Sequence, residues 1–117
     1  MSKITAEAIL DEVRTVISQA FHGKRKTPAW VTAIQVFTRL HSATRTRLVT
    51  DHGEPGKDSG NYYPASQVVK DALLMLHRND EVAVDYLDSN NELMIVNPDG
   101  APIVPSNVTV AIYRFIG

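Results

Sequence analysis

The sequence predicts a small α+β domain, with N-terminal helices followed by a small antiparallel β-hairpin or sheet. Residues 64–78 carry apolar side chains at three- and four-residue steps, which is the spacing of one helix face: Ala65, Val68, Val69, Ala72, Leu73 and Leu76. Asn79 and Asp80 should end this helix, because their side chains compete for backbone hydrogen bonds. A strand period follows, in which Val82, Val84 and Tyr86 alternate with Ala83, Asp85 and Leu87.

The rest of the C-terminal half adds strands and turns. Residues 81–96 are predicted to form a hairpin whose tip is Asp88-Ser89-Asn90-Asn91. Residues 97–100 (Asn-Pro-Asp-Gly) form a strong turn signal. Residues 97–117 are then a C-terminal extension, in which residues 108–116 alternate as a strand covered on both faces.

The first predicted helix covers residues 5–22. Thr5 can cap its N-terminus and Gly23 should end it. Its apolar residues step by four and three, as in a coiled-coil seam: Ala6, Leu10, Val13, Ile17 and Ala20. Two interpretations stay open, namely packing on its own domain, or a homodimer contact that would suit a two-fold-symmetric target. The dimer contact would use Leu10, Val13 and Ile17.

A second helix is predicted over residues 28–41, with Thr27 as its N-cap and Pro28 at its first position. Its spacing turns Trp30 toward the core, which is favoured over a role for Trp30 as a ligand platform. Residues 42–52 fit a short helix ending at Gly53, although 46–50 also fits a strand; the helix is the favoured interpretation. Residues 53–63 are rich in glycine and small polar residues, and we expect a mobile loop there.

Composition is that of one globular domain. The chain has 117 residues, no cysteine and no long apolar run, so we expect a single cytoplasmic domain over residues 1–117 without disulfides or a membrane span. Its net charge of −1 hides an asymmetry. Between residues 14 and 50 there are seven basic and no acidic side chains, and between residues 80 and 99 there are six acidic and no basic ones. This segregation predicts one face for a polyanion or an acidic partner.

Enzymatic motifs are not evident. Gly56-Lys57-Asp58-Ser59 lacks the Walker spacing and places a carboxylate directly after the lysine. The four histidines are scattered without metal-ligand spacing, and no nucleophile motif occurs. We therefore expect no catalytic residues, no metal and no cofactor.

The order of predicted elements resembles the winged helix-turn-helix superfamily over residues 28–96. The residues that carry this resemblance are the helices at 28–41, 44–52 and 64–78 and the hairpin at 81–96, above all the run Ala65 to Val82. The resemblance implies that helix 64–78 enters the major groove of DNA with the hairpin as a wing beside it. Ser66, Gln67 and Lys70 would then face base edges or phosphates.

Two features depart from that superfamily's pattern: the loop before helix 64–78 is long, and the expected wing is acidic. Phosphate contacts would therefore come from the basic stretch 24–47, through Lys24, Arg25, Lys26, Arg45 and Arg47. The resulting hypothesis is a small dimeric transcriptional regulator that binds double-stranded DNA. The alternative is a protein-interaction module or adaptor that docks through the acidic hairpin or the apolar first helix.

Overall fold

The structure is a computed structural model that describes residues 2–20, 28–55, 64–88, 95–96, 98–103 and 109–117. In these ranges four helices and five strands follow one another along the chain. Their order is α1 (Ala6–Ser18), β1 (Val31–Thr32), α2 (Ala33–Thr38), α3 (Ser42–His52), α4 (Ala65–Arg78), β2 (Val82–Asp88), β3 (Ile95–Val96), β4 (Pro102–Ile103) and β5 (Thr109–Phe115). The chain is thus a mixed α+β domain, as its sequence predicts.

Helix α4 is the centre of the fold. It contacts α1, α2 and α3 as well as strand β2. The six apolar residues at helical spacing are all buried, as predicted: Ala65, Val68, Val69, Ala72, Leu73 and Leu76. Asp80 follows the helix with φ 61°, a left-handed conformation that a short polar side chain tolerates and that turns the chain into β2. In the described ranges no helix is long and apolar enough to cross a membrane.

The main sheet corrects the predicted hairpin. It has the antiparallel order β1-β5-β2, and β2 pairs along all seven residues with β5, with Val84 opposite Tyr113. The strand β3, which the hairpin over 81–96 required as the partner of β2, pairs instead with β4. Strand β5 offers β2 a longer ladder and places Tyr113, which is fully buried, on the core face of the sheet. The last part of the C-terminal extension, β5, is therefore the middle strand of the main sheet.

Helix α1 begins as predicted and ends earlier. The Thr5 side chain accepts a hydrogen bond from the Ala8 N–H, and the last helical residue is Ser18, four residues before the predicted end. The predicted dimer contact needs correction, because Val13 and Ile17 are 0% exposed in the core of their own chain. Leu10 is half-buried against the same core. An α1 dimer through Val13 and Ile17 would require that core to open.

Helix α2 begins five residues later than predicted, at Ala33. Thr32 accepts a hydrogen bond from the Gln35 N–H, and the Gln35 side chain accepts one from the Thr32 N–H, which together form a capping box. Val31 and Thr32 instead pair with β5, so Pro28 is not the first helical residue. Trp30 therefore lies outside the helix and is 40% exposed, which corrects its predicted place in the core.

Helix α3 forms over Ser42–His52 as predicted and ends at Gly53, whose φ is 93°. Its N-terminus is capped by a residue distant in sequence. The Glu12 carboxylate on α1 accepts hydrogen bonds from the His41 N–H at 2.7 Å and from the Thr44 hydroxyl at 2.8 Å. A carboxylate at this position is favourable because it satisfies an unpaired donor and faces the positive end of the helix dipole. Most of the predicted mobile loop 53–63 lies outside the described residues.

Candidate nucleic-acid interface

The predicted DNA-reading residues lie on the first two turns of α4. Ser66, Gln67 and Lys70 are each half-buried, because α1, α2 and α3 pack around the helix. The Gln67 side chain donates from Nε2 to Asp71 Oδ1 at 3.1 Å, which holds the amide along the helix. Ser66 also has a partner within the chain. The described part of the chain offers no hydrogen bond or ion pair to the Lys70 ammonium, which leaves this group able to meet a phosphate.

Asp71 lies beside these residues and is unfavourable for phosphate. Burial raises the pKa of the Asp71 carboxyl above its ordinary value, the nearby Arg78 lowers it, and the Glu7 carboxylate raises it further. A carboxylate that has lost part of its hydration costs stability when charged. A carboxyl perturbed in this way beside a cleft is a candidate binding group.

Arg45 and Arg47, the two described arginines that were predicted to contact phosphates, lie on α3, and each has a partner within the chain. Arg45 donates from Nη1 to the Thr38 carbonyl at 3.1 Å, which is a carbonyl at the end of α2. Arg47 donates from Nε to Asp51 Oδ2 at 3.4 Å, and its side chain is 59% exposed. An exposed pair of this length is weak, so the Arg47 guanidinium can exchange Asp51 for a phosphate at small cost. Lys24, Arg25 and Lys26 lie outside the described residues.

Charge is less segregated in space than along the sequence. Arg14 is engaged by two carboxylates: its Nε lies 2.8 Å from Glu81 Oε1, and its Nη1 lies 2.6 Å from Asp11 Oδ1. Arg45 lines a shallow cleft of about 300 Å³ together with Glu54 and Asp99. The basic and acidic segments therefore do not stay apart, because Glu81 pairs with Arg14 and Asp99 lines the same cleft as Arg45.

Exposed acidic and apolar side chains lie next to one another on β2. Asp85 is exposed, Tyr86 is 70% exposed and Leu87 is 42% exposed. Across the sheet, Arg114 lies over Trp30, with its guanidinium carbon 6.0 Å from the ring centroid. This strand therefore presents apolar and acidic side chains together, which suits a protein partner better than a nucleic acid.

Sequence reasoning missed a second concave surface, which lies between the N-terminal segment and α4. It is an open cleft of about 460 Å³ that residues 3–7 border on one side and α4 on the other. Residues 3–7 are held in place by α3, since the Ile4 N–H donates to Asp51 Oδ2 at 2.8 Å and the Ile4 carbonyl lies 2.7 Å from His52 Nε2. These two hydrogen bonds join residues 47 and 48 positions apart, so no local sequence pattern predicts the cleft.

Within the described ranges, the His, Asp and Glu side chains form no group of three that could hold a metal ion. No family model matches this chain, and no curated protein or solved structure shows significant similarity to it.

Proposed function

We propose that this protein binds double-stranded DNA with a winged-helix arrangement, in which the first turns of α4 approach the major groove. The surface consists of Ser66, Gln67 and Lys70 on α4, Arg45 and Arg47 on α3, and the basic residues 24–26. A role in transcriptional regulation and a homodimeric state belong to the same proposal. The dimer would need a surface other than Val13 and Ile17, since both are buried.

The observation that carries the proposal is the pairing of β2 with β5 directly after α4. In the winged-helix superfamily the groove-binding helix is followed by paired strands with the wing between them. Between β2 and β5 in the chain, strands β3 and β4 pair as a separate two-stranded sheet, and this hairpin would be the wing. Helix α4 also contacts α2 and α3, the two helices that precede it in the chain, and this adds to the agreement.

Charge decides which elements would contact DNA. Residues 89–108 contain Glu92 and Asp99 but no lysine or arginine, so this segment would be repelled by phosphates. Contact would therefore come from the side of α4 and α3, where Lys70 and Arg47 carry positive charge. Gln67 can offer an amide to an adenine edge once its bond to Asp71 is exchanged.

Fluorescence anisotropy of a labelled duplex, titrated at two salt concentrations, tests the proposal. Binding should weaken steeply as salt rises, because each phosphate neutralised contributes about −0.9 to the slope of log K against log salt on duplex DNA. Lys70→Gln and Arg47→Gln should each reduce the magnitude of that slope by about 1. Arg39→Gln is the matched control, because Arg39 is also exposed and cationic but is not among the residues assigned to DNA contact. Failure of the protein to bind duplex DNA at low salt would refute the proposal.

A second candidate function is a protein-docking module, which the exposed Tyr86 and Leu87 on β2 favour. An exposed tyrosine and leucine beside Asp85 would suit a partner surface that is apolar and basic. If Tyr86→Ser abolishes capture of a defined partner while DNA affinity is unchanged, the docking function stands by itself. If Tyr86→Ser leaves that capture intact, this second candidate is wrong.

A further inference from the structure

The cleft between residues 3–7 and α4 has a stripe of alternating chemistry along one side. Asp71, then Leu74 with Met75, then Arg78 follow one another at three- and four-residue steps, so they lie along one face of α4. The seven-residue separation of Asp71 and Arg78 places their Cα atoms about 10 Å apart along the helix axis. The stripe therefore places a carboxylate at one end, apolar side chains in the middle and a guanidinium at the other end.

The opposite wall contributes a second pair of charges. Lys3 and Glu7 both line the cleft, so two carboxylates and two cations surround the apolar residues. Glu7 is close enough to Asp71 to raise the pKa of its carboxyl, while Arg78 lowers that pKa. A ligand ammonium near Asp71 would relieve this repulsion, and a ligand carboxylate would complement the cationic end.

This wall is preorganised before any ligand arrives. Both backbone polar groups of Ile4 are held by side chains at the end of α3, at 2.8 Å and 2.7 Å. A cleft of about 460 Å³ lies within the range of small-molecule sites. A preorganised surface loses little conformational entropy when a ligand binds.

We propose that this cleft binds an amphoteric small molecule with an apolar middle, whose ammonium meets Asp71 and whose carboxylate meets Arg78. Short apolar peptides with charged ends and ω-amino acids share this chemistry. This ligand site is separate from the proposed DNA contact. Its occupancy can be measured without nucleic acid. Its place on the same helix would let an occupied cleft influence α4.

Titration of the ¹⁵N-labelled protein with four probes tests the site by amide chemical shifts. The probes are 6-aminohexanoate, which carries both charges, hexylamine, hexanoate, and the dipeptide Leu-Leu. Saturable shifts should appear around residues 3–7 and 71–78 with 6-aminohexanoate or Leu-Leu. Each single-charge probe should bind about tenfold more weakly than 6-aminohexanoate, as expected for one lost charge-assisted contact. The tighter of the two amphoteric probes identifies the source of the ligand.

Two variants separate the ends of the ligand. Asp71→Asn should weaken hexylamine and 6-aminohexanoate about tenfold and leave hexanoate unchanged, whereas Arg78→Gln should weaken hexanoate and leave hexylamine unchanged. Arg39→Gln, outside the cleft, should change none of the affinities. The absence of saturable shifts with both amphoteric probes, or equal binding of all four probes, would overturn the proposal. Neither result bears on DNA binding, which the anisotropy titration decides separately.

Discussion

Replacing Tyr113 with phenylalanine should stabilise the protein. Tyr113 is 0% exposed, lies opposite Val84 and Val31 in the sheet, and has a buried hydroxyl to which the described residues offer no hydrogen-bond partner. A buried hydroxyl without a partner costs about 1–3 kcal/mol in protein mutational data. Tyr113→Phe removes that cost and keeps the ring in place, so the free energy of unfolding should rise by about 1–3 kcal/mol.

The assay is urea unfolding followed by circular dichroism, with a thermal melt beside it. For 117 residues, an entropy of unfolding of about 2.1 cal/mol/K per residue converts each 1 kcal/mol into about 4 °C of Tm. Tyr86→Phe is the matched control, because the Tyr86 side chain is 70% exposed and its hydroxyl is hydrated in both states. That control should leave the free energy of unfolding unchanged within about 0.5 kcal/mol.

Alkaline pH gives an independent check. Burial raises the pKa of Tyr113 far above its ordinary value, so the folded protein keeps this proton when the unfolded chain loses it. The free energy of unfolding should therefore fall as pH rises above about 10, and it should fall less for Tyr113→Phe than for the wild type. A Tyr113→Phe variant that is less stable than the wild type by about 1 kcal/mol would refute the reasoning, since it would mean that the hydroxyl has a partner.

Three further predictions concern carboxylates. Glu12→Ala should lower the free energy of unfolding by about 0.5–2 kcal/mol in urea, because α3 loses its N-terminal cap. Asp71→Asn should stabilise the protein at neutral pH, and this gain should vanish as pH falls through the raised pKa of Asp71, when the wild-type carboxyl also becomes neutral; urea unfolding at two pH values measures it. The Ile4 N–H lowers the pKa of Asp51, so Asp51 contributes stability above its unfolded pKa that is lost as pH falls through its folded pKa. In Asp51→Asn, the free energy of unfolding from urea titrations should depend less on pH in that range.

The parts of the fold that sequence patterns predict are those in which local spacing decides burial. The six buried positions of α4 follow from its amphipathic period, and α3 and the Thr5 cap follow from equally local signals. The sequence contains two signals for the start of α2. Thr32 and Gln35 have capping-box spacing and mark the observed start, whereas Thr27 and Pro28 predict an earlier one. A helix that starts at Pro28 would include Trp30, which in the structure lies before α2.

The remaining features depend on contacts between distant residues. Strand β2 could pair with either of two later strands, and alternation alone does not distinguish them. The contacts Arg14–Glu81 and Glu12–His41 join residues 67 and 29 positions apart. The first pairs a cation of the basic segment with a carboxylate of the acidic one, and the second caps α3. For the candidate site, the residue types on α4 could be predicted, but their half-burial and the neighbouring cleft could not.

Mapping duplex DNA onto the protein by amide chemical shifts tests the central claim most directly. If α4 and α3 contact DNA, saturable and salt-sensitive shifts should appear at Ser66, Gln67 and Lys70 and at Arg45 and Arg47. The amide shifts of β2 should not change. Shifts confined to residues 85–87, or no shifts at low salt, would contradict this claim.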